Sequence, residues 1–299
     1  MSRSLLNLRT RTVRRFLACA LLVGLSSGTA SEAAEESRGR LPVFVTILPQ
    51  VEFAERIGGE RVEVSAMVEP GRSPETFEPS PQQLARLSRA ALYFRIGIGF
   101  EEAWLDKIRQ IHPDLRIVDT RAGLALLSSG HAHAGEEHGM DPHVWLDPGR
   151  VRILAGNMAR ALEEADPESA ALYRTNLARF IEDLDRVDAE LRELFRDAPG
   201  KRFIVWHPAW GYLADAYGLE QVAVEEEGKE PNAKRLTELL GACREAGFRI
   251  LFAPEETRTR SLESFARAAN LRIVRLDPLA KNYLDNLRSM AARIREGLR

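Results

Sequence analysis

Apolar positions over residues 41–118 switch between two spacings. Largely apolar runs at 41–47, 62–68, 91–96 and 116–118 are rich in branched and aromatic side chains and bounded by turn residues, the pattern of strands. Between them, 49–57, 81–87 and 100–110 repeat their apolar residues at threes and fours, as amphipathic helices do. Pro49 and Pro81 stand at helix starts, where the missing N–H is tolerated. Residues 69–80 carry proline and glycine and read as a turn-rich loop. Strand alternating with helix predicts a mostly parallel sheet flanked by helices.

The periodicity lapses over 119–147, which holds Gly, Ser and a group of histidines. A loop that long inside a compact domain usually has a function or is mobile. Pro148 opens a helix to about residue 164. Asp166 and Pro167 then supply an N-cap oxygen and a first-turn proline, and no Pro or Gly follows until after Phe195. Leu172, Leu177, Phe180, Ile181, Leu184, Val187, Leu191 and Leu194 recur mostly at threes and fours. The pattern predicts one helix of about 29 residues, roughly 43 Å long at 1.5 Å per residue, long enough to run across two lobes. The α/β alternation then restarts, with strands at 202–206, 221–224, 249–252 and 272–276 and helices at 209–217, 232–246, 262–269 and 282–298.

The expected fold class is therefore α/β, with two lobes, each a mostly parallel sheet flanked by helices, joined by one long backbone helix. A cleft between the lobes is the expected site. The expected boundaries are an N-terminal lobe at 41–165 carrying a His-bearing loop at 128–140, a connecting helix at 166–196 and a C-terminal lobe at 197–299.

Ahead of these lies a basic stretch ending at Arg15, an apolar run over 16–25 and small residues to Ala30. This is the layout of a secretory signal peptide at 1–30, followed by a spacer at 31–40. The apolar run, about ten residues, is too short to cross a bilayer, so no transmembrane span is expected in the mature chain. The leader also changes the charge balance. The whole chain has 42 basic and 44 acidic residues; five arginines, Arg3, Arg9, Arg11, Arg14 and Arg15, lie in the leader with no acid beside them. Without them, 37 basic residues face 44 acidic ones, a net charge of -7. That argues against nucleic acid as a partner, because phosphate contacts need a basic footprint. Of the two cysteines, Cys19 falls in the leader. Cys243 follows Leu236, Leu239 and Leu240 at helical spacing and reads as a small buried hydrophobe.

Five of the six histidines lie between residues 112 and 143. His112, at a helix end in IHPD, reads as a cap. His131, His133 and His138 fall in HAHAGEEH, where imidazoles on an acid-containing loop can bind metal weakly, as an accessory site. His143 stands in DPHVWLDP between prolines. His207 directly follows the strand RFIVW and precedes Pro208, so it faces the cleft from a carboxyl strand end. Glu75, in the loop after the second strand, and Asp277, just after RIVRL, bring carboxylates to equivalent strand ends. Two imidazoles and two carboxylates from four loops can close around a cation. Zinc accepts this set, and manganese or iron also fits it. A secreted zinc hydrolase could use the same ligands with an open water position, but no HExxH is present and Glu78, Glu255 and Glu256 are partners by type alone. VEEEGKE at 224–230 reads as an acidic surface loop.

Several ordered motifs, VTILPQ at 45–50, VEPGRSPETFEPSP at 68–81, DPHVWLDP at 141–148, WHPAWGYLADAYGLE at 206–220, EPNAKRL at 230–236 and LDPLAKNYLDNL at 276–287, carry a family resemblance over residues 41–298. The chain resembles the periplasmic metal-binding component of zinc/manganese ABC importers, solute-binding proteins with a helical backbone between lobes. The resemblance implies cleft ligands at Glu75, His143, His207 and Asp277, with HAHAGEEH in the place of the family's histidine-rich loop. It implies capture of Zn2+, with Mn2+ or Fe2+ as alternatives, and delivery to a permease. The ATPase is a separate chain, since no GxxxxGK[ST] motif occurs here. An extracytoplasmic monomer that binds and does not catalyse is expected. An adhesion protein on the same fold is the remaining alternative. One position departs from the family: SPHTFEPSP is the usual motif, and this chain reads SPETFEPSP. Glu75 thus replaces a histidine and makes the set harder.

Overall fold

β1 (Leu41–Val45) lies inside the first sheet because both of its faces are covered, with Val43, Phe44 and Val45 at most 4% exposed. The computed structural model describes residues 39–128, 139–225 and 231–299, and Leu41–Arg299 form one compact unit. The leader at 1–30 and the loop histidines His131, His133 and His138 lie outside the described residues. β1 pairs in parallel with β2 (Val62–Ala66) and β3 (Leu92–Arg95), and β3 pairs with β4 (Arg116–Asp119), giving the order β2-β1-β3-β4. The expected strand at 41–47 stops at Val45 because the N–H groups of Thr46 and Ile47 turn onto Gln50 Oε1, at 3.0 and 3.3 Å. That turn launches α1 (Leu48–Gly58).

α2 (Pro81–Leu87) begins with a reciprocal cap. Ser80 Oγ accepts from the Gln83 N–H at 3.3 Å, and Gln83 Oε1 accepts from the Ser80 N–H at 2.8 Å. α3 (Gly99–Ile111) ends at His112, whose N–H closes on Ile108 O at 2.9 Å and whose ring bonds Ala90 O at 3.0 Å, a cap as expected. After β4, α4 (Pro148–Ala165) is capped by Asp147, which accepts from the Gly149 N–H at 2.7 Å.

The long helix is shorter than its sequence suggests. α5 (Ala170–Phe195) has 26 residues, and Pro167–Ser169 form a separate 3-10 turn. Asp166 makes no side-chain cap. Its carboxylate is taken by Arg61 Nη2 at 3.1 Å and by the Tyr173 hydroxyl at 2.8 Å. An ion pair across the fold outcompetes the local helix start.

The second half repeats the plan. β5 (Arg202–Val205), β6 (Glu220–Ala223), β7 (Ile250–Pro254) and β8 (Arg272–Leu276) form a parallel sheet ordered β6-β5-β7-β8, the same arrangement as in the first. α6 (Gly211–Tyr217), α7 (Ala233–Ala246), α8 (Arg260–Ala269) and α9 (Tyr283–Gly297) flank it. Cys243 is buried in a smaller apolar cluster with Trp206, Leu251 and Phe265.

One larger core joins both sheets through α5. Phe53 of α1 packs on Phe180 of α5 at 5.6 Å and edge-on to Tyr283 of α9 at 4.8 Å. Around this contact, Glu52 accepts from the Tyr283 N–H at 2.6 Å, Lys281 pairs with Glu55 at 2.9 Å, and Arg288 pairs with Glu190 at 2.5 Å. Among the described residues, no helix is long and apolar enough to cross a membrane.

Candidate metal centre

Strand–helix connections position the candidate ligands. Glu75 sits on a 3-10 turn (Pro74–Thr76) after β2, steadied by a bond from its own N–H to Ser73 Oγ at 3.3 Å. His143 immediately precedes a second 3-10 turn (Val144–Leu146). His207 follows β5 by two residues, and the Trp206 N–H is tied to Phe252 O at 2.7 Å, which fixes where the strand ends. Three atoms converge. His207 Nε2 lies 3.1 Å from Glu75 Oε1 and 3.4 Å from His143 Nε2, and one ligand atom from each residue falls within 4.8 Å of the others. The imidazoles are 12% and 11% exposed while Glu75 is 45% exposed, so the cage is closed behind the histidines and open at the carboxylate.

The other ring nitrogen of each histidine is held by a carboxylate. Asp141 Oδ1 bonds both the His143 N–H, at 2.9 Å, and His143 Nδ1, at 2.7 Å. Glu225 Oε2 bonds His207 Nδ1 at 3.1 Å. Such pairs fix the ring orientation and turn Nε2 toward the cage. Sequence reasoning missed both. Asp141 is visible only as a carboxylate two residues before His143. Glu225 is hidden at the head of the acidic run taken for a surface loop; its side chain is 12% exposed and belongs to the site.

Asp277 is not among the three convergent groups. It lines an adjoining cavity of about 410 Å³ with Ile47, Val68, Glu255, Glu256 and Leu279. Its Oδ1 accepts from the Leu279 N–H at 2.8 Å. Trp145 Nε1 donates to Pro278 O at 2.8 Å, which holds the Asp277 turn against the His143 turn. Burial raises the Asp277 carboxyl above the usual range against the bond from Leu279, and the charge of Glu255 adds to the rise. Burial also raises Glu256, with the charge of Asp277 adding to the rise and that of His207 opposing it.

Electrostatics set the protonation of the metal-free cage. Burial pulls His207 down, but the hydrogen bonds and charges of Glu225 and Glu75 outweigh it and push the imidazole up to about 9. Burial pushes Glu75 up, and the bond from His207 with the charges of both histidines brings it below its ordinary value. At pH 7.5 His207 is therefore cationic, and a metal ion must displace its proton. Metal binding at that pH releases close to one proton, measurable from calorimetric heats in buffers of different ionisation enthalpy; a count near zero contradicts it. The same ion pair stabilises the metal-free fold fully below about 6.5, the ordinary histidine value, and that stabilisation is lost as pH rises through about 9.

Two sheets of identical strand order on a helical spine, with two imidazoles and a carboxylate converging from connecting segments, are the arrangement of a two-lobed solute-binding protein. The chain belongs to the family described as zinc-uptake complex component A, periplasmic (ZnuA), whose model matches residues 43–297. It is similar to the zinc-binding protein AdcA of Streptococcus pyogenes, 27% identical over 264 residues that cover 81% of this chain and 51% of the relative. It is also similar to the high-affinity zinc uptake system protein ZnuA of Bacillus subtilis, 28% identical over 262 residues, covering 83% of this chain and 82% of that protein. The chain thus spans about half the length of AdcA. A crystal structure of a zinc-bound ZnuA deletion mutant matches with a TM-score of 0.80 and 37% identity, over 87% of this chain and 98% of that one.

Proposed function

We propose that this protein captures Zn2+ outside the cytoplasm and delivers it to the permease of an ABC importer powered by a separate ATPase. The observation that carries the reading is the convergence of Glu75 Oε1, His143 Nε2 and His207 Nε2, with both Nδ1 atoms held by carboxylates. Nitrogen and oxygen donors in this mixture suit zinc, and the bonds at Nδ1 orient both imidazoles so that Nε2 faces the cage. The names of the AdcA and ZnuA relatives support zinc over manganese or iron. Asp277 supplies the fourth donor, from the wall of the adjoining cavity. The protein acts as a monomeric binder without turnover, since release to the permease is the productive step.

Titration with zinc against a chromophoric chelator tests this. One ion per chain is expected, with loss of that ion when His143 or His207 is replaced. Failure to bind zinc one to one overturns the reading. Glu75 gives a second test. A carboxylate in place of an imidazole makes the set harder and favours Mn2+ relative to Zn2+. Glu75→His is expected to raise the Zn/Mn affinity ratio about tenfold, roughly 1.4 kcal/mol. Competitive titration measures it, and an unchanged ratio excludes a role for Glu75 in selectivity.

A further inference from the structure

The segment that carries His207 also reaches across to the His143 side of the cage. Tyr212, five residues beyond His207 on α6, is fully buried. Its hydroxyl accepts from the Leu127 N–H at 2.9 Å and donates to Asp141 O at 2.9 Å. Those two residues are themselves joined by the Asp141 N–H to Leu127 O bond at 2.8 Å, beside an isolated antiparallel bridge between Ser128 and Met140. A single hydroxyl therefore closes the ring of backbone bonds at the residue whose carboxylate holds His143.

Three further contacts fix this post. The Arg150 guanidinium lies over the Tyr212 ring at 4.6 Å and pairs with Asp147 at 2.6 Å and Asp215 at 2.9 Å, so the ring cannot tilt freely. Gly211 supplies clearance: a Cβ there would lie 2.6 Å from Asp141 Oδ2. Burial raises the Tyr212 hydroxyl to about 12, so it stays protonated and keeps donating to Asp141.

We infer that Tyr212 is a positioning residue of the metal cage. Through the Asp141 backbone it sets the Asp141–His143 pair, from the first half of the chain, in register with His207 from the second, and Gly211 is the gap that lets the Asp141 carboxylate sit there. The inference rests on the cage being the zinc site. A ligand carboxylate and imidazole must be held to within fractions of an ångström, and loss of such an outer support costs about 10–100-fold in metal affinity.

The test is a double-mutant cycle on the full chain, read as zinc dissociation constant by chelator competition. Tyr212→Phe is expected to weaken zinc binding about tenfold. In an Asp141→Ala background, where the carboxylate that Tyr212 positions is gone, the further loss is expected to fall below threefold. A merely structural tyrosine would give the same loss in both backgrounds, and that result, or a loss below threefold in the otherwise native chain, overturns the inference. If Tyr212→Phe does not fold, Gly211→Ala carries the same cycle: it displaces the Asp141 carboxylate and leaves the hydroxyl in place. An effect of at least threefold, suppressed by Asp141→Ala, supports the inference, and equal or absent effects overturn it. Native protein that fails to bind zinc one to one refutes the proposed function itself. Native binding with an indifferent Tyr212 refutes only this inference.

Discussion

His207→Ala lowers zinc affinity about a thousandfold, roughly 4 kcal/mol. A structural zinc site distributes about 10–16 kcal/mol over four donors, so one imidazole carries a loss of this size. His207 is also central to the cage. Its Nε2 is the atom in contact with both Glu75 and His143, and its Nδ1 is held by Glu225. Without it, Glu75 and His143 lose the donor between them. Chelator competition measures the change. An affinity within tenfold of the native protein places the metal elsewhere. Removing the cation also leaves Glu225 without its histidine partner, so the metal-free variant is expected to melt earlier below pH 9, a separate readout from the binding loss.

Phe180→Ala destabilises the whole chain by about 3–5 kcal/mol, the usual cost of emptying a buried aromatic site. Phe180 is fully buried in α5, stacks with Phe53 and lies beneath the Arg56 guanidinium at 5.2 Å. Because Phe53 in turn meets Tyr283, the cavity opens where the first lobe, the spine and the last helix join. The thermal midpoint is expected to fall by roughly 10 °C in one transition. Two separated transitions in calorimetry would show instead that the halves unfold independently.

Much of this architecture is readable from the chain itself, for physical reasons. Val43, Phe44 and Val45 announce a strand covered on both sides because no polar residue interrupts them, and the strand–helix alternation forces parallel pairing. Strand order is not encoded locally, and the repeat of one order in both sheets emerges only in three dimensions. Asp166 shows how local reading fails. It has the side chain and the following proline of a helix cap, yet Arg61, 105 residues away, takes its carboxylate. His143 and His207 stand out because each sits in a stiff, proline-flanked segment at the end of an element. Their partners do not. Glu225 is one acid in an acidic run, two residues past the end of β6, and Tyr212 is one aromatic in an apolar helix whose hydroxyl partners lie 85 and 71 residues back. Asp277 was placed at a strand end by its sequence, but the bond from the Leu279 N–H decides where its carboxylate rests.

The turn that carries Glu75 contributes no buried residue of its own, although it packs against α3 and its carboxylate meets His207. His143 and His207, by contrast, are embedded in the packed body. A substitution at position 75 removes one partner of the His207 ion pair, whereas one at His207 removes the imidazole that both Glu75 and Glu225 hold. The most exposed donor of the cage and the two packed ones therefore stand on different elements, so the metal preference can be varied at position 75 without emptying a packed site.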